Sequence, residues 1–206
     1  MTRLLVSSFG PFGPHVVNAS AEVARRLWEE GVEGADLVTV ELPVVRFDAS
    51  RLLVEAFDRV RPDVAVMLGI AKSRSAITPE RVAINVDDYR IVDNAGNQPA
   101  DEPIVPGGPA AYFATLPLKR IVAALAAEGI AAEVSNSAGT FLCNHVAYAL
   151  LHHVERTGAP CRAGFVHIPQ MREAGEADAP SMPFADLVRG VAIAVQTAVA
   201  ERALEL

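Results

Sequence analysis

Cysteine is scarce in this 206-residue chain: there are two, Cys143 and Cys161. Two thiols cannot make a disulfide framework or a four-thiolate metal site. With no secretory leader in "MTRLLVSSFG", the expected home is the reducing cytoplasm. Positive charge is also short, with 18 Lys and Arg against 25 Asp and Glu and a net charge of −7. Phosphate binding needs a basic patch, and none is visible, so no nucleic-acid partner is expected. Long apolar runs are missing. The first is cut by glycine and proline, which excludes a membrane span there. There is no internal repeat, no low-complexity tract and no convincing linker. The glycine-bearing loop "SSFGPFGPHVVNAS" (7–20) contains no Gly-Lys-Ser/Thr, and the dinucleotide glycine pattern is absent.

What remains is a globular composition, 51% hydrophobic and 21% charged, with length for one substantial core. A single domain over 1–206 is expected. Apolar runs at 3–9, 35–42, 63–70, 130–136 and 163–169 read as strands. Helical spacing marks 20–31, 47–60, 118–129, 141–156 and 183–204, the first capped by Ser20 and ended by Gly31. The stretch 71–108, rich in Pro, Gly, Asn and Asp, reads as an irregular excursion with a strand-like piece at 81–86. Strand–helix alternation predicts an α/β fold, a single-domain α/β/α sandwich around a mainly parallel, mixed and twisted sheet. In such sheets, ligands bind where the carboxyl ends of strands meet the amino ends of the following helices.

Two residues fall at that edge. Cys143 lies in the first turn of the helix after 130–136, and His167 near the end of the next strand. If those strands are parallel, a thiol and an imidazole able to take its proton arrive together. The helix amino terminus would also favour the thiolate. Taken singly, each has a blander reading: a cysteine in an apolar helix and a histidine in an apolar strand are more often core residues. Glu80, in "SAITPERVAIN", is the candidate to orient the imidazole. Alone it reads as a solvated loop residue, and Arg81 beside it suggests a simple ion pair. Phe9 and Phe12 in the first loop suit a small, flat, neutral group, or else roof the core. Cys161 reads as structural.

The stretches "FGPFGPHVVNAS" (9–20), "ITPERVAINVDDYRIVDNAGNQP" (77–99), "GGPAAYFATLPLKRIV" (107–122), "SAGTFLCNHVAYALLH" (137–152) and "GFVHIP" (164–169), in this order, resemble the pyroglutamyl peptidase I family. The resemblance implies a cysteine peptidase that removes N-terminal pyroglutamate from peptides, with no metal or other cofactor. It implies a Cys143–His167–Glu80 triad in an open α/β/α fold and a cytosolic homotetramer. Phe9, Phe12 and Phe141 are then candidates for the ring pocket. Arg90 is a candidate helper at the oxyanion, and Asn18 is a polar contact or a loop brace. The chain departs from the family at Ile70-Ala71-Lys72-Ser73, where some members carry Gln-Ala-Gly-Gly. Two other readings stand beside this one: a hydrolase of the same architecture acting on another lactam or acyl amide, and a non-catalytic nucleotide-binding protein.

Overall fold

The structure is a computed structural model that describes residues 1–14, 17–172 and 180–204. Positions 15 and 16 of the 7–20 loop lie outside the described residues. The elements run β1 (Thr2–Phe9), α1 (Ala19–Glu30), β2 (Ala35–Leu42), α2 (Asp48–Val60), β3 (Val64–Ile70), β4 (Thr78–Pro79), β5 (Val82–Ile84), β6 (Ala111–Phe113), α3 (Leu118–Ala127), α4 (Leu142–Thr157), β7 (Arg162–Ile168), β8 (Gln170–Met171), β9 (Ser181–Met182) and α5 (Phe184–Ala203).

Among the described residues the main sheet has the order β2-β1-β3-β7-β4. The first four strands are parallel and β4 is antiparallel to β7. Period-2 alternation sorts its side chains into two cores. Leu4, Val6, Val64, Val66, Leu68, Val166 and Ile168 pack with residues of α1, α3 and α5. Leu5, Ala65, Met67, Ala163 and Phe165 pack with α2 and α4. The sheet is therefore sandwiched, as expected for strands apolar on both faces. Right-handed crossovers explain the sides: β1→β2 steps one way along the sheet and β2→β3 steps back, so α1 and α2 fall on opposite faces.

Two expectations need correction. Helix α1 is capped by Asn18 rather than Ser20. The Asn18 side-chain oxygen accepts from the Ser20 N–H at 3.1 Å, and its amide donates to the Gly10 carbonyl at 2.9 Å. Ser20 is fully buried and accepts from the Phe9 N–H at 3.2 Å, tying the end of β1 to the helix. The second correction concerns 130–136, which is not a continuous strand. It makes isolated parallel bridges, Ile77 with Ala132 and Glu80 with Ser135. Because β4 is antiparallel to β7, this segment also runs against β7. The parallel pair assumed to bring Cys143 beside His167 does not exist.

Candidate active site

Alternation aims His167 at the α4 side of the sheet, the side of Ala163 and Phe165. Its register partner on β3 is Gly69. A Cβ on Gly69 would lie 3.0 Å from Cys143 Sγ and 2.7 Å from Phe165 Cζ, so the missing side chain is what lets the thiol settle there. Cys143 reaches the edge as the second residue of α4. That helix is pinned next door by Asn144, which accepts from the Ile84 N–H at 2.9 Å and donates to the Ile84 and Val86 carbonyls. We expect Gly69→Ala to destabilise the fold by ~1–3 kcal/mol through overpacking and to displace the thiol. Turnover should fall along with the melting temperature. An unchanged melting curve and rate would show that the space is not limiting.

Glu80 is not a solvated loop residue. It is 2% exposed and His167 4%, and His167 Nδ1 meets Glu80 Oε1 at 2.7 Å. The backbone of Glu80 is fixed to β7 by its N–H to the Phe165 carbonyl at 2.9 Å. The neighbouring Arg81 does not pair with it; its Nε donates to Asn136 Oδ1 at 2.8 Å. The arginine on Glu80 is Arg74, whose Nη1 reaches Oε1 at 2.6 Å. Burial opposes the Glu80 charge, but the hydrogen bond and charge of His167, with Arg74, outweigh it and hold the carboxyl below its ordinary pKa. Burial lowers the His167 pKa, partly offset by Glu80. Burial, with the Glu80 charge behind it, pushes the Cys143 thiol up to about 12. The helix terminus does not win: the resting pair is a neutral thiol beside a neutral imidazole.

A second buried pair lies on the same helix. His145 Nδ1 meets Asp87 Oδ2 at 2.8 Å and its Nε2 meets Ser50 Oγ at 3.0 Å. Residues two apart on a helix point to different sides, and both ring nitrogens of His145 are engaged. His145 therefore braces α4 against α2 and the 85–102 loop rather than facing Cys143. The sequence offered no sign of this pair, because its partners are 58 and 95 residues away.

The front of the site is a cavity of about 710 Å3 whose wall includes Phe9, Phe12, Asn18, Arg90, Phe141 and Cys143. His167 and Glu80 do not line it. The rings of Phe12 and Phe141 lie 5.6 Å apart, and Phe141 meets Tyr89 edge-on at 4.6 Å. Phe9 also belongs to the core, at 5% exposure, so it serves both surfaces. Asn18 spends its hydrogen bonds on bracing the first loop. Arg90 is exposed, on a loop tied to the lead-in of α4 by the Thr140 hydroxyl donating to the Asp88 carbonyl at 2.7 Å. Ile70, Lys72 and Ser73, where the chain departs from the family pattern, also border the cavity. Among the described residues no three His, Cys, Asp or Glu side chains converge to hold a metal, and no helix is long and apolar enough to cross a membrane.

A thiol at the carboxyl edge of a parallel sheet, backed by a buried imidazole–carboxylate pair, places the protein among cysteine-type hydrolases. The family profile described as pyroglutamyl peptidase matches residues 2–201. A pyrrolidone-carboxylate peptidase 1 from Ralstonia nicotianae is 49% identical over 199 residues, 96% of this chain and 93% of that one. A pyrrolidone-carboxylate peptidase from Vibrio parahaemolyticus is 45% identical over 200 residues, 97% and 93% of the two chains. The crystal structure of pyroglutamyl peptidase I from Bacillus amyloliquefaciens superposes with a TM-score of 0.93 at 42% identity, covering 98% of each chain. A mutant pyrrolidone carboxyl peptidase from Pyrococcus furiosus gives 0.91 at 40% identity, covering 97% and 99%. The chain belongs to the pyroglutamyl peptidase family.

Proposed function

We propose that this chain hydrolyses the bond between an N-terminal pyroglutamyl residue and the rest of a peptide, with Cys143 as nucleophile, His167 as base then acid, and Glu80 as the group that orients His167. The observation that carries the assignment is the buried His167–Glu80 pair whose strand partner, Gly69, makes room for the Cys143 thiol. His167 takes the thiol proton as sulfur attacks the carbonyl carbon. The N–H groups of residues 142–144 precede the first intrahelical bond, from the His145 N–H to the Phe141 carbonyl, and Phe141 supplies no side-chain cap. Having no intrahelical acceptor, they are assigned to the developing oxyanion, with Arg90 as a further donor from the cavity wall. The imidazolium then protonates the leaving amine. Water cleaves the thioester and releases pyroglutamate.

Selectivity follows from the lining. A lactam ring is neutral, whereas an N-terminal proline presents a similar ring with an ammonium group. Burying that charge among Phe9, Phe12 and Phe141 without a partner costs several kcal/mol, enough for orders of magnitude in rate. The test is release of a fluorogenic amine from pyroglutamyl amide beside prolyl amide. Cleavage of the first alone is expected. No cleavage of either by folded protein would move the activity to another acyl substrate. Phe12→Ala should reduce kcat/KM more than it lowers the melting temperature, and equal losses would reduce Phe12 to a core residue.

The same reading takes the whole chain as one folding unit, assembled as a homotetramer in the cytoplasm. The two unpaired cysteines support a reducing compartment, and the tetramer rests on the family resemblance. Calorimetry, light scattering and cell fractionation test the three in turn, against multiple transitions, a monomer or an exported protein.

A further inference from the structure

Arg74 was not singled out by its sequence context, yet it is bonded into the site more fully than any other arginine near it. It sits in the turn between β3 and β4. One nitrogen, Nη1, donates to Glu80 Oε1 at 2.6 Å and also to the Thr78 hydroxyl. The other, Nη2, donates to the Ser137 carbonyl at 2.9 Å. Ser137 begins the stretch that leads into α4 and Cys143. One guanidinium thus ties the carboxylate behind His167 to the backbone that delivers the thiol. Such a planar fork bridges two acceptors at a fixed geometry, whereas the rotatable donors of an ammonium are not pre-organised for it.

The carboxylate needs that fork. Both the His167 ring and Arg74 sit on Oε1, while Oε2 is buried with no hydrogen-bond partner. An ionised carboxylate at 2% exposure bears a desolvation penalty of several kcal/mol. The His167 hydrogen bond offsets the larger part of that penalty, and Arg74 adds the fixed charge that a neutral imidazole lacks. Without the cation, the economical response of a buried carboxyl is to take up a proton. A protonated Glu80 would no longer hold the His167 tautomer that leaves Nε2 free to act on the thiol.

We propose that Arg74 is a positioning residue for the hydrolysis: it keeps Glu80 ionised and, through Ser137, holds the Cys143 lead-in in register with His167. This rests on the assignment of Cys143, His167 and Glu80 above. Arg74 is not among the residues that line the cavity, and its guanidinium bonds to Glu80, Thr78 and Ser137. The groups that face the pair are Gly69 from β3, Thr78 from β4, Phe165 from β7, Ser135 and Ser137 from the 131–137 segment, and Cys143 from α4. The charged or titratable ones around it are Arg74, Glu80, His167 and Cys143. Removing the Arg74 charge raises the proton affinity of Glu80, of His167 and of the Cys143 thiol alike. The Glu80 and His167 shifts move the acid limb of activity toward higher pH, and the thiol shift lowers its reactivity at a fixed pH.

The experiment compares the full-length wild type with Arg74→Gln and Arg74→Lys in two readouts. One is the pH profile of kcat and KM on the fluorogenic pyroglutamyl amide. The other is the rate of iodoacetamide alkylation at Cys143, located by peptide mass mapping. Arg74→Gln should lower kcat by about 10- to 100-fold with KM within about threefold, raise the acid limb, and slow alkylation at a fixed pH. Arg74→Lys should return the acid limb to its wild-type position but recover only part of kcat, since lysine restores the charge and not the bridge. A folded Arg74→Gln with wild-type kcat and an unmoved limb overturns the proposal. If Arg74→Gln does not fold, Arg74→Lys decides: reduced kcat with a normal limb supports the role, and unchanged kcat removes it. Wild type that cleaves no pyroglutamyl amide but shows the Arg74-dependent alkylation shift would sink the proposed function and leave the positioning role standing.

Discussion

Replacing Cys143 with alanine should reduce hydrolysis of pyroglutamyl amide on the order of 10³-fold or more while the chain stays folded. Cys143 as a residue is half-buried at the edge of the core, and losing its sulfur removes one polarisable atom there, costing about 1 kcal/mol or less. Activity and stability should therefore separate cleanly. Cys143→Ser is expected to be almost as inactive. The resting site holds a neutral thiol that must lose its proton to a neutral imidazole during attack, and a hydroxyl makes that transfer much harder. The internal control is Cys161, the other thiol, which is 7% exposed just before β7 and whose pKa burial also raises to about 12. Cys161→Ala should cost some stability and leave kcat near wild type. More than a tenth of wild-type rate in Cys143→Ala, or equal losses in the two variants, would rule out Cys143 as nucleophile. Circular dichroism and the fluorogenic assay on the same preparations suffice.

Glu80→Gln should do what Cys143→Ala does not: lower both rate and stability. Removing the carboxylate leaves the Arg74 guanidinium and the His167 N–H facing an amide in a dry site. Breaking a buried ion pair from one side typically costs about 3–5 kcal/mol. Loss of the orienting group costs a further ~10²–10⁴ in rate. The pH dependence separates this from general damage. The folded pKa of Glu80 lies below its ordinary value of 4.5, so its stabilisation is complete above about pH 4.5 and is lost as pH falls through the folded value. The stability gap between wild type and Glu80→Gln should thus be wide at pH 7 and narrow in acid, where the wild type has neutralised Glu80 itself. Urea denaturation at pH 7 and below pH 4 measures the gap. A gap that does not change with pH would mean that the carboxylate charge contributes nothing to the fold.

Much of this protein is legible in one dimension. The alternation of Leu4 and Val6 against Leu5, and of Val64, Val66 and Leu68 against Ala65 and Met67, marks strands apolar on both faces. The helices between them follow from 3.6-residue spacing. Those local periods carry the α/β/α architecture and the edge at which a ligand belongs. They place His167 there correctly, and they place Cys143 in the first turn of its helix. They fail for the segment 130–136, because an apolar run does not encode its direction; that depends on β4, a two-residue strand paired antiparallel to β7.

The sequence by itself determined the layers, the family and the side chains offered for chemistry, because periodicity and ordered motifs are properties of neighbours along the chain. The tertiary structure decided which of them meet. Arg74 rather than adjacent Arg81 pairs with Glu80, since the chain turns into β4 and sends those two arginines to different partners. Gly69 matters because it is the sheet neighbour of His167 although 98 positions before it, a distance along the chain that no local pattern spans. The protonation of the thiol was likewise out of reach. Helix position argued for a thiolate, but burial depends on everything packed around the group, and here burial is the larger effect.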